Sequence, residues 1–207
     1  MLATYRANTN WSTYFFKRLE DYPNYEFGNI TDSWETIANN ANYATDYAIG
    51  DTKTVSFGEY GYVNMELVAF DADDKADGTG KAHMTWIAKN CLSTTHRMNA
   101  TNTNANGWPN TEMRTWLRET VLPELQSNIR SAIVEVNKTY YDYTSKSTKT
   151  SADTIWLPSM REVFGGTSYE DDGVIYSDKF TDSTSRIKKL NGSAIYWWIR
   201  SAHSGSS

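Results

Sequence analysis

The stretch that decides the fold is Ala194-Ile195-Tyr196-Trp197-Trp198-Ile199-Arg200-Ser201-Ala202, near the end of a sequence of 207 residues. It follows a turn signal, Asn191-Gly192-Ser193, and it is dense in β-branched and aromatic side chains, which is typical of a buried strand. The stretch is too short to span a membrane, which takes about 20 apolar residues. A strand this bulky needs neighbours on both faces, so we expect earlier segments to pack around it.

The composition limits the kinds of partner that the chain can have. The formal net charge is -5, which argues against a nucleic-acid partner because phosphate binding needs clustered Lys and Arg. The longest basic run, Arg186-Ile187-Lys188-Lys189, is more typical of a solvated face. The first residues lack the basic and apolar regions of a signal peptide, and we expect no membrane insertion. An aromatic content of 14% suits a β-rich protein that is displayed on a surface or binds a ligand.

The first 30 residues differ in character from the rest, and we predict two parts: an N-terminal aromatic helical extension over residues 1–30 and one domain over residues 31–207. Two interpretations of the extension stay open, a helix packed on the domain and a segment for oligomerisation or attachment. The apolar residues at helical spacing are Trp11, Tyr14, Phe15, Phe16 and Leu19.

In the first half of the domain, residues 31–38 carry a capping signal and predict a short helix. After it, apolar residues recur at every second position, which is typical of strands. Residues 52–57 and 62–70 alternate and predict a hairpin, and residues 83–88 predict a third strand. Residues 94–109 are polar and predict a long exposed loop.

The second half predicts a helix that Asn110 caps and Pro123 breaks. Residues 133–141 alternate as a strand, residues 144–151 predict a polar loop, and Ile155-Trp156-Leu157-Pro158 predicts a short strand. A short helix or turn over residues 159–164 comes next. The resulting fold class is α+β with a mixed antiparallel sheet, two main helices and long loops.

Acidic residues between positions 71 and 77 have the density of a calcium loop, with Asp71, Asp73 and Asp77 as candidate ligands. Lys75 stands at a ligand position and no bidentate Glu follows, so a solvated acidic loop is the preferred interpretation and we expect no cofactor. The three histidines have no zinc-ligand spacing. The single cysteine, Cys91, lies in a partly apolar context that is typical of a buried thiol.

Five blocks in order carry a resemblance to a known family. They are Tyr47-Ala48-Ile49-Gly50-Asp51-Thr52-Lys53, Leu67-Val68-Ala69-Phe70-Asp71-Ala72-Asp73, Trp108-Pro109-Asn110-Thr111-Glu112-Met113-Arg114-Thr115-Trp116-Leu117, Ile155-Trp156-Leu157-Pro158-Ser159-Met160-Arg161-Glu162 and Trp197-Trp198-Ile199-Arg200-Ser201-Ala202. Together they resemble an uncharacterised domain of gut-bacterial surface proteins and gut-phage tail or virion proteins. That domain is similar to the C-type-lectin-like fold of formylglycine-generating enzymes and retroelement-diversified receptor-binding proteins.

The resemblance implies a C-type-lectin-like core over residues 31–207 and a place on a phage tail or a bacterial cell surface. In the family, the double-tryptophan strand is followed by a few dozen more residues that complete the sheet. Here the sequence ends at His203-Ser204-Gly205-Ser206-Ser207. The expectation is that the fold is incomplete at its C-terminus or that another segment or chain takes that place.

The candidate ligand-binding residues are Trp108, Tyr141, Tyr169 and Arg200, and we expect no catalytic residues. Aromatic rings offer stacking faces for sugars. Arg200, beside Trp198, is expected more strongly as a buried hydrogen-bonding anchor.

Three functions are weighed. The first is a non-enzymatic adhesion or receptor-binding domain whose partner is a host surface glycan or protein. The second is a structural virion or surface subunit in a homo-oligomer or beside other subunits. The third, an enzyme of the formylglycine-generating type, needs reactive cysteines or a metal, and the single Cys91 argues against it.

Overall fold

The computed structural model describes residues 27–166 and 173–202. These residues form an α+β fold with three antiparallel sheets, short helices and long loops, which confirms the predicted class. The predicted extension over residues 1–30 lies outside the described residues except for its last four. Those four run beside the first strand, where the Ile30 N–H donates to the Thr52 carbonyl at 2.9 Å.

The largest sheet has three antiparallel strands in the order β1-β2-β3: β1 is Thr52–Ser56, β2 is Tyr62–Phe70 and β3 is Met84–Ala88. The predicted hairpin and third strand are therefore confirmed. A single irregularity in the pairing of β2 with β3 falls between Leu67 and Ala69 on β2.

Two short helices, α1 (Trp34–Asn39) and α2 (Tyr43–Asp46), precede the sheet. The Ser33 hydroxyl accepts the Thr36 N–H at 3.0 Å, which caps α1 and confirms the predicted helix near residues 31–38. The indole rings of Trp34 and Trp86 meet edge to face with centroids 5.3 Å apart, so α1 is packed against β3.

The middle of the chain forms one helical run with an irregular centre. It consists of α3 (Glu112–Trp116), a π-helical turn (Leu117–Val121) and α4 (Leu122–Glu124), and α5 (Ser127–Ala132) follows. The prediction that Asn110 caps this helix was wrong. Thr111 is the N-cap of α3, and its hydroxyl accepts the Arg114 N–H at 3.1 Å.

The helical run ends at Glu124, one residue after Pro123, so Pro123 lies at the predicted end of the helix. Pro123 lies in the first turn of α4, directly after the π-helical turn in which the Leu122 N–H bonds to the Leu117 carbonyl. Proline is tolerated in the first turn of a helix because its missing N–H is not needed there.

A second sheet is a hairpin of β4 (Val136–Asp142) and β5 (Ser147–Asp153). The predicted polar loop over residues 144–151 was wrong, because most of it is β5. The outward side chains of β5 are polar and exposed, so the sequence of this strand shows no alternation of apolar and polar residues. Backbone hydrogen bonds pair it with β4.

The last described part contains α6 (Met160–Phe164) and a small hairpin of β6 (Lys188–Leu190) and β7 (Ser193–Ile195). The predicted helix at 159–164 is confirmed, but the predicted strand at 155–158 was wrong, because that segment is irregular.

The prediction of a buried strand over residues 194–202 was wrong as well. Only the first residues of that stretch pair with another strand, and Tyr196 is fully exposed (101%) while Trp198 is 55% exposed. Among the described residues no strand lies beside 196–199, so the backbone there has no ladder partner and the rings have no facing layer.

The main core lies between the first hairpin and the helical run and includes Trp108, Met113, Leu117 and Val121. Gly107, directly before Trp108, allows the backbone to pass close to the Tyr140 ring. Its φ of 67° and ψ of -161° suit only glycine, and a Cβ there would lie 2.6 Å from the Tyr140 ring.

We predict that Gly107→Ala lowers the free energy of unfolding by at least about 2 kcal/mol, because it adds strain and a contact with the Tyr140 ring. Denaturant unfolding measures the change. The matched control is Gly78→Ala, at φ 75° with open space around the new Cβ, which we expect to cost about 1 kcal/mol. Equal losses in the two variants would contradict the packing described here.

Candidate functional site

Four of the buried charged side chains of the described residues form one ionic network. At its centre is Lys138, which the alternation of β4 turns inward with Val136 and Tyr140. Its amine lies 2.5 Å from Asp73 Oδ1 and 2.6 Å from Glu162 Oε1, and it donates to the Tyr176 hydroxyl at 2.9 Å. One lysine therefore joins β4 to the loop after β2 and to α6.

Arg200 completes the network from the last described segment. Its guanidinium makes two parallel bonds to Glu162, with Nη1 2.7 Å from Oε2 and Nη2 2.9 Å from Oε1. It also donates to the carbonyls of Leu157 at 2.8 Å and Thr139 at 3.1 Å. Arg200 is therefore the buried anchor that was the stronger expectation for it.

Glu162 has a second task at the start of α6. Its Oε2 accepts the Ser159 N–H at 2.8 Å, while the Ser159 hydroxyl accepts the Glu162 N–H at 3.1 Å, which forms a capping box. The same carboxylate therefore fixes the beginning of a helix and holds two cations from distant segments.

The electrostatics of the network favour a charged Glu162 and a neutral Tyr176. Burial alone would raise the pKa of Glu162, but the charges of Arg200 and Lys138 and their hydrogen bonds outweigh it and lower the pKa to about 2. Burial, and then the charges of Glu162 and Asp73, raise the pKa of Tyr176 well above its usual value. The network pairs two acids with two bases, so its charges balance internally.

The three candidate calcium ligands do not converge. Asp73 is buried, and its carboxylate accepts hydrogen bonds from the Lys138 amine and from the Thr85 hydroxyl, the latter at 2.5 Å. Asp71 accepts the Tyr43 hydroxyl at 2.7 Å, and Asp77 accepts the N–H and hydroxyl of Thr79 in its own turn. Within residues 27–166 and 173–202, no group of three or more His, Cys, Asp or Glu side chains is placed to hold a metal.

The candidate ligand-binding residues are also scattered. Trp108 is 1% exposed, and its indole N–H donates to Asp153 at 3.2 Å, so its ring belongs to the core. Tyr141 is half-buried on the outer face of β4, edge to face with Tyr143 at 4.8 Å between centroids. Tyr169 lies outside the described residues, and Arg200 is buried as described.

The described chain contains a large apolar cleft. Its volume is about 620 Å³, which is within the usual range for ligand pockets. Its wall includes β3, the irregular segment 154–158, the inner face of the helical run and residues 195–198. The exposed side chains of Ile195, Tyr196 and Trp198 stand at its border.

The polar side chains in the cleft wall include Cys91 and Lys188. The Lys188 amine donates to the Ala88 carbonyl at 2.6 Å and stands 5.5 Å from the centroid of the Trp197 ring. Burial lowers the pKa of Lys188 to about 8, and burial raises the pKa of the Cys91 thiol. A thiol with a raised pKa is a poor nucleophile at neutral pH.

The sequence reasoning missed both the ionic network and the cleft. A signal for Lys138 was present, because the alternation of residues 136–142 places it on the inward face with Val136 and Tyr140. The cleft had no local signal, because it is formed by segments far apart in the sequence.

The comparison with known families covers three of the five quoted blocks, those that begin at Trp108, Ile155 and Trp197. The profile of a family described as "Domain of unknown function (DUF6273)" matches residues 82–207, which is more than half of the chain. The chain belongs to the DUF6273 family. The matched range contains Lys138, Glu162 and Arg200 of the network, while β1 and β2 lie before it. No curated protein and no solved structure matches the chain.

None of the described helices is long and apolar enough to cross a membrane. Within the described DUF6273 region, the buried acids Asp142, Asp153 and Glu162 are paired with cations, whereas the buried Lys188 donates to a backbone carbonyl in the largely apolar cleft wall. The cleft is therefore the feature that is suited to holding another molecule.

We predict that Glu162→Gln lowers the free energy of unfolding by about 3–5 kcal/mol at neutral pH, because it leaves two buried cations without their shared partner. The wild-type contribution of Glu162 is present above pH about 4.5 and is lost as the pH falls towards 2, because folding depresses its pKa. Urea unfolding of both proteins across this pH range should show the gap between them shrinking.

The control is Asp74→Asn, which removes an exposed ion pair with Lys81 at 2.9 Å and should change stability far less. A gap between wild type and Glu162→Gln that stays constant from pH 5 to pH 2 would contradict the assigned titration.

Proposed function

We propose that this domain is a non-catalytic binding and adhesion module of a phage tail or bacterial surface protein, built on a C-type-lectin-like core. The observation that carries the proposal is the apolar cleft of about 620 Å³ with exposed aromatic side chains at its border. Exposed apolar surface of this kind is a mark of interaction sites.

The chemistry of the cleft border supports binding. Tyr196 and Trp198 present large rings to solvent, and such side chains supply contact area at a low cost in conformational entropy. The proposed partner is a protein or glycan on a host surface, and rings of this kind can pack against the apolar face of either.

The absence of catalysis is part of the proposal. The buried acids Asp73 and Glu162 are paired with Lys138 and Arg200, so they are not poised to exchange protons with a substrate. Burial raises the pKa of Cys91, which removes the thiolate character that a nucleophile needs. A structural subunit of a virion or surface assembly remains the second candidate function, supported by the exposed apolar residues at 195–198.

We predict that the domain binds intact bacterial cells or immobilised surface polysaccharide, and that Trp198→Ala weakens this binding about tenfold because it removes a ring from the cleft border. A panel of labelled cells and polysaccharides measures binding, and thermal unfolding checks that the variant is folded. Phe164→Ala is the matched control, since Phe164 is 50% exposed but does not line the cleft. Equal binding by both variants, or no binding to any surface, would contradict the proposal.

A further inference from the structure

The charged residues in the wall of the apolar cleft differ in sign from the chain as a whole. The sequence has 25 Asp and Glu residues against 20 Lys and Arg, so acids outnumber bases overall. Among the described residues that line the cleft, none is Asp or Glu, whereas two lysines and two histidines line it: Lys75, Lys188, His83 and His96. The wall therefore favours a ligand that carries negative charge.

Lys188 is the most buried of these four bases. Burial alternates along β6, so that Lys188 is only 6% exposed while its neighbour Lys189 is exposed. The Lys188 amine donates to the Ala88 carbonyl at 2.6 Å and to the Lys89 carbonyl at 3.5 Å. An ammonium group has three N–H donors, so these two bonds within the described chain leave one donor for a ligand.

The positive charge of Lys188 has no paired acid among residues 27–166 and 173–202, because none of their ion pairs includes it. Burial lowers the pKa of Lys188 to about 8, Glu66 raises the pKa, Lys179 lowers it and Cys91 raises it. Glu66 is itself paired with Lys179 at 2.9 Å. Most of the Lys188 amine is therefore protonated at neutral pH, and a buried charge without a partner is costly.

The other bases of the wall have neighbours that account for them. The two histidine rings are stacked on aromatic rings, with centroids 4.4 Å and 4.6 Å apart. Hydrogen bonds from Thr79, and then the charge of Lys75, lower the pKa of Asp77, so Lys75 has an acid nearby. Lys188 is therefore the base in the cleft wall whose charge a ligand can best complement.

The rest of the wall indicates the body of that ligand. The indole rings of Trp86, Trp156 and Trp197 line the cleft together with many aliphatic side chains. The cleft volume of about 620 Å³ gives room for up to roughly 20 groups of about 30 Å³, the volume of one water molecule in the liquid. An apolar chain with one negative charge fits this wall, whereas a second negative charge would be buried without a partner.

We propose that the cleft binds a small amphiphilic carboxylate, with the carboxylate on the Lys188 amine and the apolar chain against the aromatic wall. The ligand supplies the negative charge that the described wall lacks, and its chain is removed from water by the rings. This inference goes beyond the proposed function, because it assigns a small molecule to a buried cation that the adhesion partner does not need.

The test is calorimetric titration of the full 207-residue chain with decanoate and with 1-decanol at about pH 7, both below the concentrations at which they aggregate. We expect decanoate to bind at least about tenfold more tightly than 1-decanol, because its bond to the ammonium group is charge-assisted. Lys188→Met keeps an apolar side chain of similar length and should reduce this ratio below about threefold. The matched control is Lys189→Met, at the exposed neighbour that does not line the cleft, and it should leave the ratio unchanged.

A second measurement on the wild type covers the case in which Lys188→Met does not fold. The affinity for decanoate should fall as the pH rises through about 8, because Lys188 loses its proton there, while the affinity for 1-decanol should stay constant. The Cys91 thiol stays neutral at this pH, because burial raises its pKa. Bound decanoate should also slow the acetylation of Lys188, which mass spectrometry measures.

The same acetylation measured against pH without ligand gives the pKa of Lys188. A pKa above about 10 would show that an acid of this chain, or of a second copy, already pairs with the amine, and it would overturn the inference. Equal affinities for decanoate and 1-decanol, an unchanged ratio in folded Lys188→Met, tighter binding of decyl phosphate than of decanoate, or no binding would each overturn it too.

The result is separable from the proposed function. Loss of cell binding in Trp198→Ala without any preference for decanoate would leave the binding module and remove the carboxylate site. A preference for decanoate that depends on Lys188, in a chain that binds no cell or polysaccharide, would keep the carboxylate site and remove surface adhesion.

Discussion

The fold depends on one buried carboxylate that serves three distant parts of the chain. Glu162 caps α6 with Ser159 and binds Arg200 through two parallel hydrogen bonds, and it shares Lys138 with Asp73. Removing any one charge leaves the others buried and uncompensated, which is far more costly than losing an exposed ion pair. The network therefore constrains the loop after β2, strand β4, helix α6 and the last described segment to a single arrangement, and their relative placement creates the cleft.

The blocks that carried the resemblance contain residues of both the ionic network and the cleft wall. Asp73, Glu162 and Arg200 each lie in a block that carried the resemblance, and each is buried in the network, away from the cleft wall. Their chemistry of acids beside bases resembles a catalytic site on paper, but the charges satisfy one another. Under the proposed function, the partner contacts the apolar wall and rings such as Trp198, which is exposed to solvent.

The sequence predicted those features that local patterns control. Period-two alternation gave the hairpin and β3, and the short helix predicted over residues 159–164 is α6. It failed where non-local pairing decided the outcome. Strand β5 is polar, and its Lys149 and Asp153 form ion pairs with Asp142 and Arg114, so its sequence shows no apolar alternation. Residues 196–199 are bulky but have no strand beside them among the described residues. For the site, the anchoring of Arg200 could be foreseen from its aromatic context, whereas the sharing of Glu162 by Arg200 and Lys138 depends on the non-local contact between β4 and α6.

The central claim is that Glu162 and Arg200 act as one structural unit, and a double-mutant cycle in urea unfolding tests it most directly. The variants are Glu162→Gln, Arg200→Met and the double substitution. The account predicts that the double variant is less destabilised than the sum of the single variants by about 2 kcal/mol, because each single change strands the other partner. Additivity within about 0.5 kcal/mol would show that the two residues do not depend on each other and would contradict the account.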